Sequence, residues 1–167
     1  MKNTFPGRRF ASASFTALSL SLLLPLAPLA HAAGEHGSEA EAQDMVKKGV
    51  ALIKSSGVEK AYKTFTEHPD GAFKEKDLYV FVYDFEGNCL AQGANAKMVG
   101  KNLITMKDVD GNAFIKGMIE MVKTSSKGWY GPYKFNNPAT QAYELKRSYC
   151  ERGAGDTVVC VGTYFNK

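Results

Sequence analysis

The segment LYVFVYDF, residues 78–85, alternates with a period of two between aliphatic and aromatic side chains. Successive side chains of a β-strand point to opposite faces, so this segment predicts a strand with two apolar faces. The aliphatic face holds Leu78, Val80 and Val82, and the aromatic face holds Tyr79, Phe81 and Tyr83. Since neither face is polar, other parts of the chain must cover both sides of the sheet.

Four further β-prone segments follow this strand, at residues 89–92, 129–135, 143–151 and 157–165. Tight turns at residues 86–88 and 152–156 predict that the first two and the last two strands form antiparallel hairpins. Pro132 favours an edge position for its strand, because proline offers no N–H group to a neighbouring strand. The strands are therefore expected to build one antiparallel sheet.

Two helices are predicted before the first strand. Ser38 and Glu41 form a capping box, which opens a helix that runs toward residue 56. A second apolar stripe at helical spacing follows Gly57 and ends at the turn formed by residues 68–71. Two helices thus precede the sheet in the chain.

A third apolar stripe recurs at helical spacing over residues 114–122. Asp110 is the expected N-cap of this helix, and Gly128 fits its exit. The predicted order is α-α-β-β-α-β-β-β, without a long alternation of strands and crossover helices. This order favours the α+β class, with the helices packed on one face of an antiparallel sheet.

The N-terminus has the features of a secretory signal. Lys2, Arg8 and Arg9 give a basic start, residues 15–30 are apolar, and residues 30–32 form an A-x-A cleavage site. A retained membrane anchor is the alternative interpretation. The apolar run is shorter than the roughly 20 residues that span a bilayer, so a cleaved signal is favoured.

We therefore expect a signal peptide at residues 1–32 with cleavage at about Ala32/Ala33, a leader at residues 33–43, and one domain at residues 44–167. Cleavage leaves 135 of the 167 residues, which is enough for a single core. The mature protein is expected in the periplasm or outside the cell.

The charge balance argues against a nucleic-acid partner. Residues 1–32 contain three of the 21 basic residues and none of the 17 acidic ones, which leaves 18 basic against 17 acidic residues. A domain that is nearly neutral lacks the basic patch that phosphate backbones attract.

The sequence offers little for catalysis or metal binding. The two histidines beyond the signal lie in the leader and before a turn proline, and no hydrolase or zinc-protease motif occurs. Asp108, Asp110 and Asn112 imitate the start of a calcium loop, but Ala113 and Ile119 replace its glycine and glutamate. We attribute these acidic residues to helix capping and expect no enzyme activity, metal or cofactor.

Three cysteines remain in an oxidising compartment, so one disulfide and one spare thiol are expected. Cys150 and Cys160 flank the last turn, and a hairpin centred on Gly155 would place them directly opposite each other. We predict that these two form the disulfide. Cys89 is then either a small buried apolar residue or an exposed thiol that could link two copies.

Four motifs carry a family resemblance: GKNLITMKDVDGNAF at residues 100–114, GWYGPYKFNNPAT at residues 128–140, LKRSYC at residues 145–150 and VVCVGTYF at residues 158–165. Together they resemble the single Cache domain, type 2, of bacterial extracytoplasmic sensors. The hairpin YVFVYDFEGNCLAQG at residues 79–93 is similar to the family as well. The resemblance covers the chain from about Asp44 to its end.

The resemblance implies a five-stranded antiparallel sheet of PAS-like shape with a long N-terminal helix packed on it. It also implies a pocket for small organic acids between the sheet and its loops. Members of this family usually sit between two membrane helices of a chemoreceptor or sensor kinase. No second apolar segment occurs here, so we expect a standalone periplasmic copy that signals through a membrane receptor or kinase partner.

Aromatic residues are the first candidates for the pocket wall, since rings bound a cavity and hydroxyls orient a ligand. The candidates are Tyr79, Phe81, Tyr83, Trp129 and Tyr133. Plain packing in the core or along an edge strand explains such aromatic clusters equally well.

Lys146 and Tyr149 are the favoured polar pair, because a carboxylate needs a cation and hydroxyl donors, and the resembling family has a Lys and a Tyr at this spacing in its pocket. Residues three apart in a flat strand face opposite ways, so a bulge at residues 147–148 would be needed. Arg147 is the alternative cation. Lys101, with Asn102, could close over a ligand or lie in solvent.

The sequence thus predicts a periplasmic ligand-binding sensor domain in signal transduction or chemotaxis. Acetate, propionate, pyruvate and lactate are the expected ligands. A protein-interaction module without a small ligand is the alternative, in which the first helix or an edge strand binds the partner.

Overall fold

The computed structural model describes residues 1–2, 36–69 and 71–165. The predicted signal and the start of the predicted leader fall in residues 3–35, outside the described residues. The fold belongs to the unit formed by residues 32–167. Within the described part of the chain, no helix is long and apolar enough to cross a bilayer.

The chain contains three α-helices and six β-strands among the described residues. In chain order they are α1 (Glu39–Ser56), α2 (Val58–Glu67), β1 (Lys74–Glu75), β2 (Leu78–Asp84), β3 (Cys89–Gln92), a 3-10 turn (Ala96–Met98), α3 (Phe114–Ser125), β4 (Lys127–Asn136), β5 (Tyr143–Arg152) and β6 (Thr157–Phe165). The predicted α+β class and element order are confirmed. The two-residue strand β1 is an addition, so the sheet has six strands where five were expected.

Helix α1 begins at the predicted capping box. The backbone N–H of Glu41 donates to Ser38 Oγ at 3.2 Å, and the Ser38 N–H donates to Glu41 Oε2 at 2.7 Å. The Ser38 N–H and the Ser38 hydroxyl both donate to the Glu41 carboxylate, and these two bonds are the main reason why the pKa of Glu41 falls to about 2. The helix therefore starts within the predicted leader, residues 33–43.

All strand pairs are antiparallel, in the order β1-β2-β6-β5-β4, with β3 also paired to β2. Strands β4, β5 and β6 form an antiparallel meander that contains the predicted last hairpin. Strand β4 lies at the edge, as expected from Pro132. Its pairing with β5 shifts between Tyr130 and Tyr133, on either side of that proline.

Each face of the sheet has its own apolar core. The aliphatic face of β2 packs against α1 and α2 through Met45, Val46, Val50, Ile53, Ala61 and Phe65. The aromatic face packs against α3 through Phe114, Ile115, Met118, Ile119 and Val122. The prediction that both faces are covered is confirmed. The prediction that all helices lie on one face is wrong, because the stripe of α3 packs on the aromatic side.

Helix α3 begins later than expected. Its N-cap is Ala113, without a side-chain hydrogen bond, so the prediction of Asp110 as the cap is wrong. Asp108 instead accepts the backbone N–H groups of Asp110 and Asn112 at 3.0 and 2.8 Å. Burial alone would raise the pKa of Asp108, but these bonds and others lower it to about 2.

The exit of α3 also differs from the expectation. The helix ends at Ser126 in the left-handed region, with φ of 63°, and Gly128 belongs to β4. Gly128 is therefore a strand residue, and the expectation that it ends the helix is wrong.

The cysteines pair within the last hairpin. Cys150 lies directly opposite Cys160, and the two form a disulfide. Cys89 is a free thiol that is buried at the start of β3, and burial raises its pKa to about 11. Cys89 is thus a buried residue, and its thiol is largely protonated at neutral pH.

Candidate ligand-binding site

Lys146 is a fully buried cation in the middle of the sheet. Its side chain is 1% exposed and points to the face covered by α3. Its ammonium donates to the Tyr79 hydroxyl at 2.7 Å and to the Tyr164 hydroxyl at 3.1 Å. Tyr164 donates in turn to the carbonyl of Asn136 at 3.0 Å. The polar partners of this cation are therefore neutral groups.

Aromatic rings surround the same ammonium. Its Nζ lies 4.2 Å from the ring centre of Tyr79, 4.5 Å from that of Tyr164, 5.2 Å from that of Phe135 and 5.4 Å from that of Phe81. Such cation–π contacts replace part of the lost hydration. None of the ion pairs among the described residues includes Lys146.

Burial dominates the electrostatics of this cluster. It lowers the pKa of Lys146 to about 7, against the attraction of Asp77, which raises it. Burial also raises the pKa of Tyr79 to about 12, although its hydrogen bond with Tyr164 opposes this effect. The tyrosines therefore stay neutral at physiological pH, while Lys146 exchanges its proton near neutrality.

Gly162 makes room for the stem of this lysine. A Cβ atom built on Gly162 would lie 2.1 Å from Cε of Lys146 and 2.6 Å from Oγ of Ser148. Any larger residue at this position of β6 would collide with the lysine side chain. The absence of a side chain at Gly162 thus sets the path of Lys146.

A small cavity lies in front of the ammonium. It is lined by Tyr79, Phe81, Tyr83, Gln92, Phe114, Met118, Tyr133, Phe135 and Lys146. The space open to the centre of a water molecule is about 10 Å³, which is room for about one water. The wall is mainly aromatic, with a few polar groups, as in small-molecule sites.

A wider depression adjoins the cavity on the outside. It measures about 280 Å³ and shares Tyr79, Gln92 and Phe135 with the cavity wall. Its rim comes from two connections, residues 94–98 after β3 and residues 136–141 between β4 and β5. A ligand that reached Lys146 from this side would pass between the two connections.

Five predicted site residues meet at this cavity. They are Tyr79, Phe81, Tyr83, Tyr133 and Lys146. The Tyr133 hydroxyl hydrogen-bonds with Ser148 Oγ at 2.7 Å, and its ring stacks on Phe114 with centres 4.6 Å apart. These contacts hold one wall of the cavity in place.

The other aromatic candidates lie across the sheet. Trp129 packs on Tyr149 with ring centres 5.4 Å apart, on the side of α1. Arg147 stacks on Trp129 at 4.8 Å and pairs with Glu39. The expected bulge at residues 147–148 is wrong, because β5 pairs with β6 without a shift from Leu145 to Arg152. Lys146 and Tyr149 therefore face opposite ways.

The predicted loop residues are also outside the cavity. Lys101 is exposed, and its carbonyl accepts the Cys89 N–H at 2.9 Å. Asn102 donates through Nδ2 to the carbonyl of Glu86 at 2.9 Å. These bonds tie the loop to the hairpin of β2 and β3.

Two residues near the ammonium and its cavity, Tyr164 and Gln92, were not expected. Tyr164 could have been predicted from the sequence, since the register that pairs Cys150 with Cys160 also pairs Lys146 with Tyr164. Gln92 ends a short strand, and no sequence pattern pointed to it.

A second buried charge, Asp77, lies just before β2 and is 2% exposed. Its carboxylate accepts the Gly37 N–H at 2.8 Å and an amide N–H of Asn137 at 3.3 Å, and it lies 2.6 Å from His36 Nδ1. Thr163 Oγ1 donates to the carbonyl of Gly37. Asp77 thus anchors the chain that leads into α1.

Comparison with known proteins finds the same family and the same fold. The family model described as Single Cache domain 2 matches residues 29–167. A methyl-accepting chemotaxis protein from Vibrio parahaemolyticus RIMD 2210633 shares 25% identity at a TM-score of 0.63, over 75% of this chain and 86% of that chain.

Two further solved structures share the fold. A periplasmic sensor domain of a chemotaxis protein has 20% identity and a TM-score of 0.58, over 77% of this chain and 90% of that chain. A Cache chemosensory domain, solved to explain carboxylic acid recognition, has 20% identity and a TM-score of 0.59, over 73% and 84%. No curated protein matches the sequence.

Proposed function

Since this chain belongs to the Single Cache domain 2 family of sensor domains, we propose that it binds a short organic acid whose carboxylate lies on Lys146. The observation that carries this proposal is a buried ammonium whose hydrogen-bond partners are hydroxyls alone. A buried charge is costly unless it is paired, so the site favours an anion beside the lysine.

The chemistry of the cavity defines the class of ligand. A carboxylate can accept charge-assisted hydrogen bonds from Lys146 and from the hydroxyl of Tyr79, whereas the Tyr164 hydroxyl already donates its hydrogen to the Asn136 carbonyl. The aromatic wall suits a short carbon chain. Acetate, propionate, pyruvate and lactate combine one carboxylate with such a chain. The similar Cache chemosensory domain that was solved for carboxylic acid recognition supports this class.

Binding must widen the cavity, because the space open to the centre of a water molecule is about 10 Å³. The aromatic wall and the two connections at its rim are the parts that would move. A sensor needs two states with different affinity for its ligand, and a site that opens to admit the acid provides them. The ligand would be read out by a membrane receptor or kinase partner, in signal transduction or chemotaxis.

The proposal includes a location and a mode of action. The fold neighbours include a periplasmic sensor domain, and the predicted signal at residues 1–32 would deliver this chain to the same compartment. Sensing requires no covalent step, so we propose neither an enzyme activity nor a cofactor.

A thermal-shift series on the purified protein tests the function. Acetate, propionate, pyruvate and lactate are each added, and propionamide and lactamide serve as neutral analogues of matched size. A ligand at 100 times its Kd stabilises the native state by about 2.7 kcal/mol, which raises Tm by several degrees. At least one acid is expected to do so, while the amides do not. A series in which no acid raises Tm would overturn the proposal.

Two substitutions locate the site. Lys146→Met should abolish the shift, because it removes the ammonium and keeps the side-chain volume. Arg147→Met is the matched control, since it removes the neighbouring cation from the opposite face and should leave the shift intact. An equal loss in both variants, or none in Lys146→Met, would place the ligand elsewhere.

A further inference from the structure

We infer that Gln92 donates a hydrogen bond to a second polar group of the acid, which makes 2-hydroxy and 2-oxo acids the preferred ligands. The inference rests on the proposed function, because it assumes that the carboxylate lies on Lys146. It adds a named residue that selects among short acids.

Gln92 lies where the cavity meets the outer depression. It is the last residue of β3, it is 3% exposed, and it lines both spaces. Strands β3 and β5 are separated by β2 and β6, so their backbones lie about 14 Å apart. Gln92 and Lys146 therefore stand on strands that flank β2 and β6, and both side chains line the cavity.

The hydrogen bonds of Gln92 leave its amide nitrogen available. Its Oε1 accepts the backbone N–H of Ala94 at 3.2 Å, which fixes the orientation of the amide. Its Nε2 donates to Met98 Sδ at 3.8 Å, and a thioether is a weak acceptor. An amide nitrogen has two N–H groups, and no other partner for it exists among the described residues.

A buried donor with so weak a partner favours a ligand that supplies an oxygen. In a 2-hydroxy or 2-oxo acid, that oxygen is attached to the carbon beside the carboxylate. Lys146 can therefore hold the carboxylate while Gln92 reaches the neighbouring oxygen. An acid without this oxygen leaves the amide with Met98 alone, and it should bind less tightly.

The first test compares ligands on the unaltered protein. Titration calorimetry measures Kd for lactate, pyruvate, propionate and isobutyrate, in which a methyl group replaces the hydroxyl of lactate. Lactate and pyruvate are expected to bind about tenfold more tightly than propionate, as one gained hydrogen bond implies. Equal affinity for lactate and isobutyrate would overturn the inference.

The second test uses Gln92→Met, which keeps the length of the side chain and removes the amide. It should weaken lactate and pyruvate about tenfold and leave propionate within about twofold. Gln141→Met is the control, because Gln141 lines the outer depression but not the cavity. An equal effect on all three acids, or the same effect in Gln141→Met, contradicts the inference.

The result also separates this inference from the proposed function. If propionate binds and depends on Lys146 but Gln92→Met does not change the preference, the acid site stands and the role of Gln92 is wrong. If neither these acids nor acetate binds the unaltered protein, the proposed function is overturned, and the role of Gln92 with it.

Discussion

Cε of Lys146 lies only 2.1 Å from the position that a Cβ atom on Gly162 would occupy. The two residues sit on neighbouring strands, where Gly162 pairs with Ser148 and Lys146 pairs with Tyr164. The lysine reaches the aromatic cavity across the bare backbone of β6. This relationship makes Gly162 a positioning residue for the proposed acid site.

Gly162→Ala is expected to displace the Lys146 side chain and weaken acid binding at least tenfold. Overpacking of this kind costs about 1–3 kcal/mol of stability, and the domain should still fold. Calorimetry measures the affinity, and chemical denaturation measures the stability.

The matched control is Gly49→Ala in α1, where a new Cβ would lie 3.5 Å from its nearest neighbour. Alanine in a helix is worth about 0.5–1 kcal/mol relative to glycine, so this variant should be slightly more stable and bind normally. Unchanged binding in Gly162→Ala would show that the path of Lys146 does not depend on this glycine.

Acid affinity is expected to fall as pH rises above about 7. Burial lowers the pKa of Lys146 to about 7, and only its protonated form attracts a carboxylate. Above that pKa the protonated fraction drops about tenfold for each pH unit, while carboxylic acids with a pKa near about 4 stay ionised. Binding should therefore take up a proton at about pH 8, which calorimetry in buffers of different ionisation enthalpy detects. A flat profile up to about pH 9 would contradict this prediction.

Lys146→Met is expected to stabilise the ligand-free domain by about 1–3 kcal/mol at neutral pH, because it removes a buried charge without leaving a hole. The stability gained by Lys146→Met should depend on pH. The unfolded lysine keeps its proton up to about pH 10.4, whereas the folded one loses it near 7.

Between these two values the unfolded state binds more protons, so the stability of the unaltered protein rises with pH. The difference in stability between the unaltered protein and Lys146→Met should be largest below about pH 7 and should disappear toward about pH 10. Denaturation curves of both proteins at several pH values measure it. A difference in stability that grows with pH would contradict the interpretation that Lys146 carries a buried charge.

Much of the fold follows from periodicity, and the site follows only in part. The two-residue alternation at residues 78–85 correctly predicted two covered faces, and the last hairpin placed Lys146 on one of them. The sequence prediction was wrong about which strand carries the irregular pairing. It was expected in β5, but it lies in β4, where the shift puts Tyr130 and Tyr133 on the same face although they are three residues apart.

The position of this shift decided which aromatic residues line the cavity. Pro132 correctly predicts an edge strand. A proline that cannot join the strand ladder also favours a bulge beside it, and the sequence analysis did not predict that bulge. Gln92 was missed for another reason. Its role depends on contacts across the sheet and with Met98, which no local pattern in the sequence encodes.

Reduction of the disulfide between Cys150 and Cys160 is expected to cost about 2–3 kcal/mol of stability, as the closure of a loop of about 10 residues implies. Cys150→Ala with Cys160→Ala should reproduce the loss, measured by denaturation with and without reductant. Cys89→Ala, at the buried free thiol, is the control and should remain sensitive to reductant. A double variant with unchanged stability would contradict the prediction.

Asp77 joins two parts of the domain through a single carboxylate. It holds the backbone of Gly37, and it attracts the charge on Lys146. The free energy of protonating Lys146 therefore depends on the docking of the N-terminal segment on Asp77. Such coupling is reciprocal, so the docking also depends on the charge of Lys146. An anion bound to Lys146 as proposed would therefore change how firmly the chain is held at the entrance to α1, and a force on that entrance would change the affinity for the anion.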